Sequence, residues 1–358
     1  MDRTAYLLSQ KQHGRPVIGV FPAQYPKEIL WAFGLVPAEI WDPKLRTTEA
    51  GQHLQPYTCS VARLGLELVL QGKCDFVSGF LFPHTCDSIQ NLGSMIHDFV
   101  RPEVPCHFFY HPKAPYGPHS NTYYMEQLRK LVLELGRFYG PLDRDNLHSA
   151  LVSSNRVRKA QLELRELRAK SRLPVSNVEY YRVLRLGEFL LPEDYLRELE
   201  VLKLQASDSA KGLKKVVVSG VLPNPEGLLE ILDGIGLHIA ADDFLSIGRR
   251  WSPFLDTSLE DPFESLAKSY FSMPPCSTKG SSVEDRLAHQ VELVEVTGAK
   301  AVIFWITKFC ETELFDVPFL MKELKDRGIE GLSVETELHQ STFGQLVTRL
   351  EAFSELLA

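Results

Sequence analysis

Several absences narrow the function before any motif is read. No run of about 18 apolar residues occurs, so no stretch reads as a membrane-spanning helix. The opening MDRTAYLLSQKQHGRP has neither a sustained apolar core nor an Arg/Ser-rich amphipathic pattern, and the compartment expected from it is the cytoplasm. Basic residues are outnumbered, 39 Lys and Arg against 46 Asp and Glu, for a formal charge of −7. That is the wrong sign for a general nucleic-acid surface. There is no GxxxxGK[ST] loop, no GxGxxG after a strand and no Gly-x-Ser-x-Gly elbow, which disfavours ATP or NAD binding, or a nucleophilic serine, through those motifs. Cysteine is sparse: six residues, at 59, 74, 86, 106, 276 and 310, without a CxxC pair. Neither a disulfide framework nor a close-spaced structural zinc site is expected from so few, so scattered.

What is present is an ordinary globular composition, 44% hydrophobic and 24% charged over 358 residues. At roughly 150 residues per domain, that length predicts two domains. The informative stretch is YTCSVARLGLELVLQGKCDFVSGFLFPHTCDSIQN, residues 57–91, answered by AVIFWITKFCETELFDVP at 301–318. In the first, an apolar strand over 76–82 runs into Pro83-His84-Thr85-Cys86. In the second, a strand over 302–306 runs into Thr307-Lys308-Phe309-Cys310. Loops at the carboxyl ends of parallel strands carry the ligand chemistry of open α/β sheets. Thiols delivered there twice, with Cys59 opening the helix before the first strand, suit a soft metal centre, iron and sulfur foremost.

Taken in order, residues 1–14 read as a polar lead-in, followed by a strand at 17–21, a helix from about 27 and a strand at 35–41. A helix at 59–71 stopped by Gly72, the strand at 76–82, a helix at 87–97 and a strand at 104–110 complete the first half. Four helices are then expected, at 122–139, 143–169, 176–189 and 192–205. The second half repeats the first: strand 214–220, a proline loop, helix 226–232, strand 237–241 ending in Asp242-Asp243, helix 283–296 and strand 301–306. The spacing predicts an α/β protein of two tandem doubly wound, flavodoxin- or Rossmann-like parallel-sheet halves joined by a helical block. The expected boundaries are 1–121, 122–210 and 211–358. The repeat pairs Cys276 with Cys59, each ahead of its helix; if the halves face each other, four cysteines can converge on one cleft.

A single cysteine such as Cys86 is most often a small buried hydrophobe. Its recurrence at equivalent strand ends favours ligation, whereas Cys74 and Cys106 read as packing. Asp242 and Asp243, with Gly248-Arg249-Arg250, are either acid/base or anion-contact groups or simply caps of the helix that succeeds the strand. The basic run Arg156, Arg158, Lys159, Arg165, Arg168, Lys170 and Arg172 is expected to face solvent.

The residues also resemble a known family, the 2-hydroxyacyl-CoA dehydratases, which includes the ATP-dependent benzoyl-CoA reductase subunits. The resemblance lies in Tyr57-Thr58-Cys59-Ser60, the Phe82-to-Gln90 run FPHTCDSIQ, Ala241-Asp242-Asp243 with Gly248-Arg249, Lys308-Phe309-Cys310-Glu311, and Phe343-Gly344-Gln345 with Thr348-to-Phe353. It spans about residues 17–355, and the length looks like the smaller, D-component-like subunit.

By that resemblance Cys59, Cys86 and Cys310 hold a four-iron four-sulfur cluster, or alternatively part of a double-cubane eight-iron nine-sulfur cluster. Cys276, put forward by the repeat and not by the family, is the candidate fourth ligand. The implied chemistry is radical elimination of water from a 2-hydroxyacyl-CoA thioester through a ketyl, in an oxygen-sensitive lyase. The implied partners are a homologous second subunit, or a second copy, and a separate ATP-hydrolysing iron–sulfur activator, in keeping with the missing phosphate loop. Neither nucleic acid nor membrane is an expected partner. The alternatives are a component of a benzoyl-CoA reductase or another low-potential reductase, and a non-catalytic α/β partner whose cysteines only pack. No residue is assigned as catalytic.

Overall fold

Short apolar runs punctuated by proline and glycine build two sheets of the same kind. The computed structural model describes residues 2–207 and 213–357. The expected boundary at 210/211 lies outside the described residues. The chain runs through α1 (Arg3–Gln12), β1 (Val17–Val20), α2 (Lys27–Ala32), β2 (Val36–Glu39), α3 (Ser60–Leu70), β3 (Gly79–Pro83), α4 (Asp87–Ser94) and β4 (Cys106–Phe109). Helices α5 (Ser120–Tyr139), α6 (Arg144–Ala169), α7 (Asn177–Arg185) and α8 (Pro192–Lys203) come next. Then come β5 (Lys214–Gly220), α9 (Glu226–Gly234), β6 (Leu237–Phe244), α10 (Pro262–Phe271), α11 (Val283–Thr297) and β7 (Ala301–Thr307). The last elements are α12 (Glu311–Leu314), α13 (Val317–Asp326), β8 (Glu330–Thr336) and α14 (Gly344–Leu356).

Each sheet has four parallel strands, ordered β2-β1-β3-β4 and β6-β5-β7-β8. These are the two α/β halves that the sequence repeat predicts, with the same flavodoxin-like order in both. β1, β3, β5 and β7 read as near-continuous apolar runs because parallel strands are covered on both faces; every residue of β3 and β7 is buried. β5 and β7 approach so closely that a Cβ on Gly220 would lie 2.2 Å from the Trp305 carbonyl oxygen. Only glycine fits there.

The chain divides into two compact units. The first comprises Met1–Arg158, Leu186–Leu196 and Ser252–Met273; the second comprises Lys159–Arg185, Arg197–Trp251 and Pro274–Ala358. In the first, Ile18, Val20, Leu81 and Phe109 of the sheet pack with Leu128, Leu131 and Leu135 of α5. In the second, Val217, Val302 and Phe304 pack with Leu287 and Leu293 of α11 and Leu320 and Leu324 of α13. Each such side chain contributes about 1.5–3 kcal/mol on burial. Among the described residues no helix is long and apolar enough to cross a membrane.

Two expectations change. The polar lead-in is helix α1: the Asp2 carboxylate accepts the Ala5 N–H at 2.7 Å, Leu7 is buried, and the Tyr6 hydroxyl donates to Asp194 at 2.6 Å. One cap and two anchors suffice, although the helix is polar overall. The basic run is only partly solvated. Arg156 and Lys170 are exposed, but the Arg168 guanidinium is buried and donates to the carbonyls of Ile239 (3.0 Å) and Val175 (2.6 Å) and to Asn177 Oδ1 (2.6 Å). Arg158 pairs with Glu28 at 3.0 Å and donates to Ser252 and Ser269 hydroxyls. A planar fork of five donors can satisfy buried carbonyls, so a count of basic residues does not tell which way they point. Toward the C-terminus, where no element is expected from the sequence, β8 completes the second sheet, with α13 before it and α14 after it. β8 is mostly half-exposed and offers no buried run to read.

Upstream of Cys59 a buried carboxylate sets the path of the chain. Glu67, on α3, accepts the N–H groups of Thr48, Glu49 and Ala50 at 2.8–3.0 Å and also the Thr48 hydroxyl. Desolvation pushes its pKa up, but the bonds from Thr48, Ala50 and Gln71 outweigh it and hold the pKa at about 2. A carboxylate depressed in the folded state stabilises fully above its ordinary value near 4.5 and loses that contribution as pH falls toward about 2. Glu67→Gln turns an acceptor into a donor facing N–H groups. At pH 7 the variant is expected to lose about 2 kcal/mol in urea unfolding, and the gap to the parent should narrow as pH falls below 4.5. A gap of constant size from pH 7 to pH 2 would count against this role.

Candidate functional site: cysteines at the strand ends

The four candidate cysteines share one backbone position. Cys86 lies just past Pro83, the last residue of β3, and is the N-cap of α4. Cys310 lies just past Thr307, the last residue of β7, and is the N-cap of α12. Cys59 is the N-cap of α3, and Cys276 the N-cap of the 3₁₀ turn Ser277–Lys279. A helix start exposes unpaired N–H groups, whose partial positive charge favours a sulfur that carries negative charge.

In the first unit Cys59 and Cys86 are neighbours close enough for charge on one to act on the other. Burial, then Cys86, pushes the Cys59 thiol up to about 12, while the N–H groups of Ala62 and Val61 pull the other way. Burial also raises the pKa of Cys86, opposed by the Ile89 N–H, the Lys113 ammonium and the Ser88 N–H. These N–H groups face the sulfurs without completing a cap hydrogen bond. The pair is therefore neutral in the metal-free protein at pH 7, and a metal bound there would displace protons.

The Cys86 loop is tied down from two sides. Thr85 is buried; its hydroxyl donates to the Pro22 carbonyl and accepts the Ala23 N–H, both at 2.7 Å. Lys113 Nζ donates to the carbonyls of His84 at 2.7 Å and Thr85 at 2.8 Å. His84 itself is half-buried and stands edge-on to Tyr110, with its pKa lowered by burial and then by Lys113.

In the second unit Cys276 is fully buried, 3.0 Å from Thr278 Oγ1 and 4.0 Å from Arg249 Nη1. Arg249 has no exposed surface and bonds Asp243 at 3.0 Å and both oxygens of Glu313. Glu313 also bonds Arg286 at 3.0 Å and accepts the Ser277 hydroxyl at 2.7 Å. The Cys310 helix, which carries Glu313, is thereby joined to the turn that carries Cys276. Desolvation raises the Glu313 pKa, yet Arg249 and Arg286 hold it well below the ordinary range. Lys279, buried beside this group, is lowered to about 8 by desolvation, with Cys276 opposing.

Asp242 and Asp243 lie within β6. Asp242 Oδ1 accepts the N–H groups of Phe244 (3.2 Å) and Gly248 (3.0 Å), and burial raises its pKa to about 6. Asp243 holds Arg249. Asp242 closes the bend after β6 and is not the cap of a following helix, since the short turn Gly248–Arg250 starts from Ile247 without a side-chain cap, and the anion-contact reading of Arg249 gives way to an internal ion pair.

Of the sequence-predicted residues, then, Cys59 and Cys86 are brought together, and the turns of Cys276 and Cys310 are joined through Ser277 and Glu313. Among the described residues no group of three or more His, Cys, Asp or Glu is placed to hold a metal ion. In donor chemistry the two thiols of the first unit, buried Cys59 and half-buried Cys86, both at helix starts, are of the kind that an iron–sulfur core takes, and Cys310 stands at the point of the repeated unit that corresponds to Cys86. Cys74 is buried, with its thiol directed at the Leu68 carbonyl, and Cys106 is half-buried on β4, both as packing residues. His107 and His111 stand four apart, but His107 packs against Phe138 and Tyr139, and His111 bonds the Tyr270 hydroxyl at 2.8 Å. Sequence reasoning passed over Lys113, Thr85, Glu313 and Arg286. Glu313 lies three residues after Cys310 and was within reach; nothing local marks Lys113.

Removing one partner of a buried ion network leaves charges without compensation. Arg249→Met is expected to cost about 3–5 kcal/mol in urea unfolding for this reason. A loss below about 1 kcal/mol, the worth of an exposed pair, would mean that Asp243 and Glu313 do not depend on it.

A family model described as HGD-D, 2-hydroxyglutaryl-CoA dehydratase, D-component, matches residues 22–357. The chain is 26% identical to the (R)-2-hydroxyglutaryl-CoA dehydratase subunit beta of Acidaminococcus fermentans, over 98% of this chain and 95% of that one. It is 26% identical to the lactoyl-CoA dehydratase subunit beta of Anaerotignum propionicum, over 96% and 92% of the two chains. To a benzoyl-CoA reductase subunit of Thauera aromatica it is again 26% identical, over 89% and 85%.

Proposed function

The chain belongs to the 2-hydroxyglutaryl-CoA dehydratase D-component family, and from that premise we propose that it is the smaller, iron–sulfur subunit of a 2-hydroxyacyl-CoA dehydratase. Its relatives include acyl-CoA dehydratase beta subunits and a benzoyl-CoA reductase subunit, which are enzymes. In this reading Cys59, Cys86 and Cys310 ligate a four-iron four-sulfur cluster, and Cys276 is not needed as a ligand. The observation that carries it is the Cys59–Cys86 pair, a buried and a half-buried thiol facing helix N–H groups at a sheet end whose counterpart in the repeat holds Cys310. Cys276 is instead enclosed by Thr278 and Arg249.

When bound, such a cluster supplies single electrons at low potential. The protein's own part is to bury the sulfurs, to present N–H groups to them and to hold the two ligand loops of the first unit rigid. Water would be eliminated from a 2-hydroxyacyl-CoA thioester through a ketyl radical. The electron would come from a separate ATP-hydrolysing activator. A homologous second subunit or a second copy would complete the enzyme, a reading supported by the relatives, each of which is named as one subunit of a larger assembly. The cytoplasm is the compartment that fits this reading. The benzoyl-CoA reductase relative supports a second reading, a reductase component acting on an aromatic acyl-CoA.

Protein purified without oxygen is expected to be brown, with about four irons per chain and an EPR signal on reduction. Near eight irons would favour a double cubane, and a colourless, iron-free protein would remove the cluster reading. Cys86→Ala should lose iron and activity together; full iron in that variant takes Cys86 off the ligand set. Turnover with an activator on a 2-hydroxyacyl-CoA but not on benzoyl-CoA separates the dehydratase from the reductase.

A further inference from the structure

The β3 ladder stops before it reaches the cysteine. His84 N–H still bonds the Phe109 carbonyl at 2.8 Å, and Thr85 N–H turns back to the Pro83 carbonyl at 2.7 Å. Beyond that point the backbone carbonyls of His84 and Thr85 need a partner from elsewhere. Both find the same one, the Lys113 ammonium, on the loop after β4. The Thr85 carbonyl belongs to the peptide bond that leads into Cys86, so its orientation sets the direction in which the Cys86 side chain leaves the backbone. Thr85 holds the other side of the loop to Pro22 and Ala23.

We propose that Lys113 is a positioning residue for the Cys86 ligand loop: its ammonium clamps two consecutive carbonyls, fixes the direction of the Cys86 sulfur and keeps one positive charge beside it. The inference rests on the cluster reading for its purpose, but the clamp exists without metal. An ammonium suits the task because it offers three donors from one point, enough to span adjacent carbonyls, and because its stem reaches across from the next strand's loop. Its charge does act on the Cys86 sulfur. A fixed positive charge at a ligand sulfur favours the reduced, more negative state of any bound cluster, so its loss should make the midpoint potential more negative.

The test compares the parent protein with Lys113→Met and Lys113→Arg in two forms. In iron-free protein, amide hydrogen–deuterium exchange of the segment spanning residues 84–88 is tracked by peptide mass spectrometry, a readout independent of the Cys86 thiolate fraction, with the β4 segment around Cys106 as internal reference. Lys113→Met is expected to exchange about tenfold faster in the Cys86 loop, the scale of a lost charged hydrogen bond, with the Cys106 segment unchanged and Lys113→Arg restored toward the parent. Thr85→Val, which releases the other side of the loop, should also speed exchange there. In the iron-loaded protein, Lys113→Met should keep its iron and show a more negative midpoint. Parental exchange of the Cys86 loop in Lys113→Met, equal acceleration in the Cys106 segment, or an unchanged midpoint overturns the proposal. Absence of iron from the anaerobic parent would overturn the cluster reading instead, and the exchange of iron-free protein then decides the clamp alone.

Discussion

Parallel sheets end in loops that have lost their ladder partners, and a chain that puts reactive side chains on such loops must hold the backbone by other means. In the second unit the means is a guanidinium with no exposed surface. Arg249 bonds Asp243, on the strand, and Glu313, on the short helix after Cys310, while Arg286 of α11 shares Glu313. Four ionised groups out of water are costly unless every one is paired. Here their geometry ties β6, α11, the Cys276 turn and the Cys310 helix into one arrangement, and the cost of breaking any bond keeps that arrangement single.

The first unit reaches the same end with less charge. Thr85 and Lys113 supply the bonds that the ladder no longer does, one to each side of the loop, and Glu67 gathers the N–H groups of residues 48–50 in the segment that leads toward Cys59. A buried carboxylate, Glu39, also ends the strand beside β1; it is paired with Lys27 at 2.6 Å and bonded by Tyr25 and Trp41. Both halves thus bury an acid on the second strand of the repeat and neutralise it with a cation, Lys27 in one and Arg249 in the other. The pairing partners differ because they come from different loops, which a repeat is free to vary without disturbing its sheet.

On the proposed cluster reading, these restraints would bear on redox chemistry through rigidity. A metal–sulfur core changes charge during turnover, and loops that relax around each charge state would add to the barrier. Sulfurs set at helix N-caps, with the N–H groups already turned toward them, need little rearrangement. On that reading Lys113 extends the same principle, because its ammonium is already fixed on the His84 and Thr85 carbonyls.

The periodicity of buried runs, the proline and glycine stops and the repeat of strand, cap and cysteine were all legible in the chain itself, because each depends on residues a few positions apart. From those features came the two parallel sheets, most helices of the joining segment and the position of Cys59, Cys86 and Cys310 at strand or helix ends. Helix α1 escaped because its stability lies in Leu191 and Asp194 far along the chain, and β8 escaped because an edge strand need not be apolar. Tertiary structure alone decided that Arg168 and Arg249 turn inward, that Asp243 is a counter-ion, that Cys276 sits among Thr278 and Arg249, and that Lys113 closes on the Cys86 loop. Those outcomes depend on which distant groups meet, and a charge, unlike an apolar side chain, has no local pattern that tells whether water or a buried partner will satisfy it.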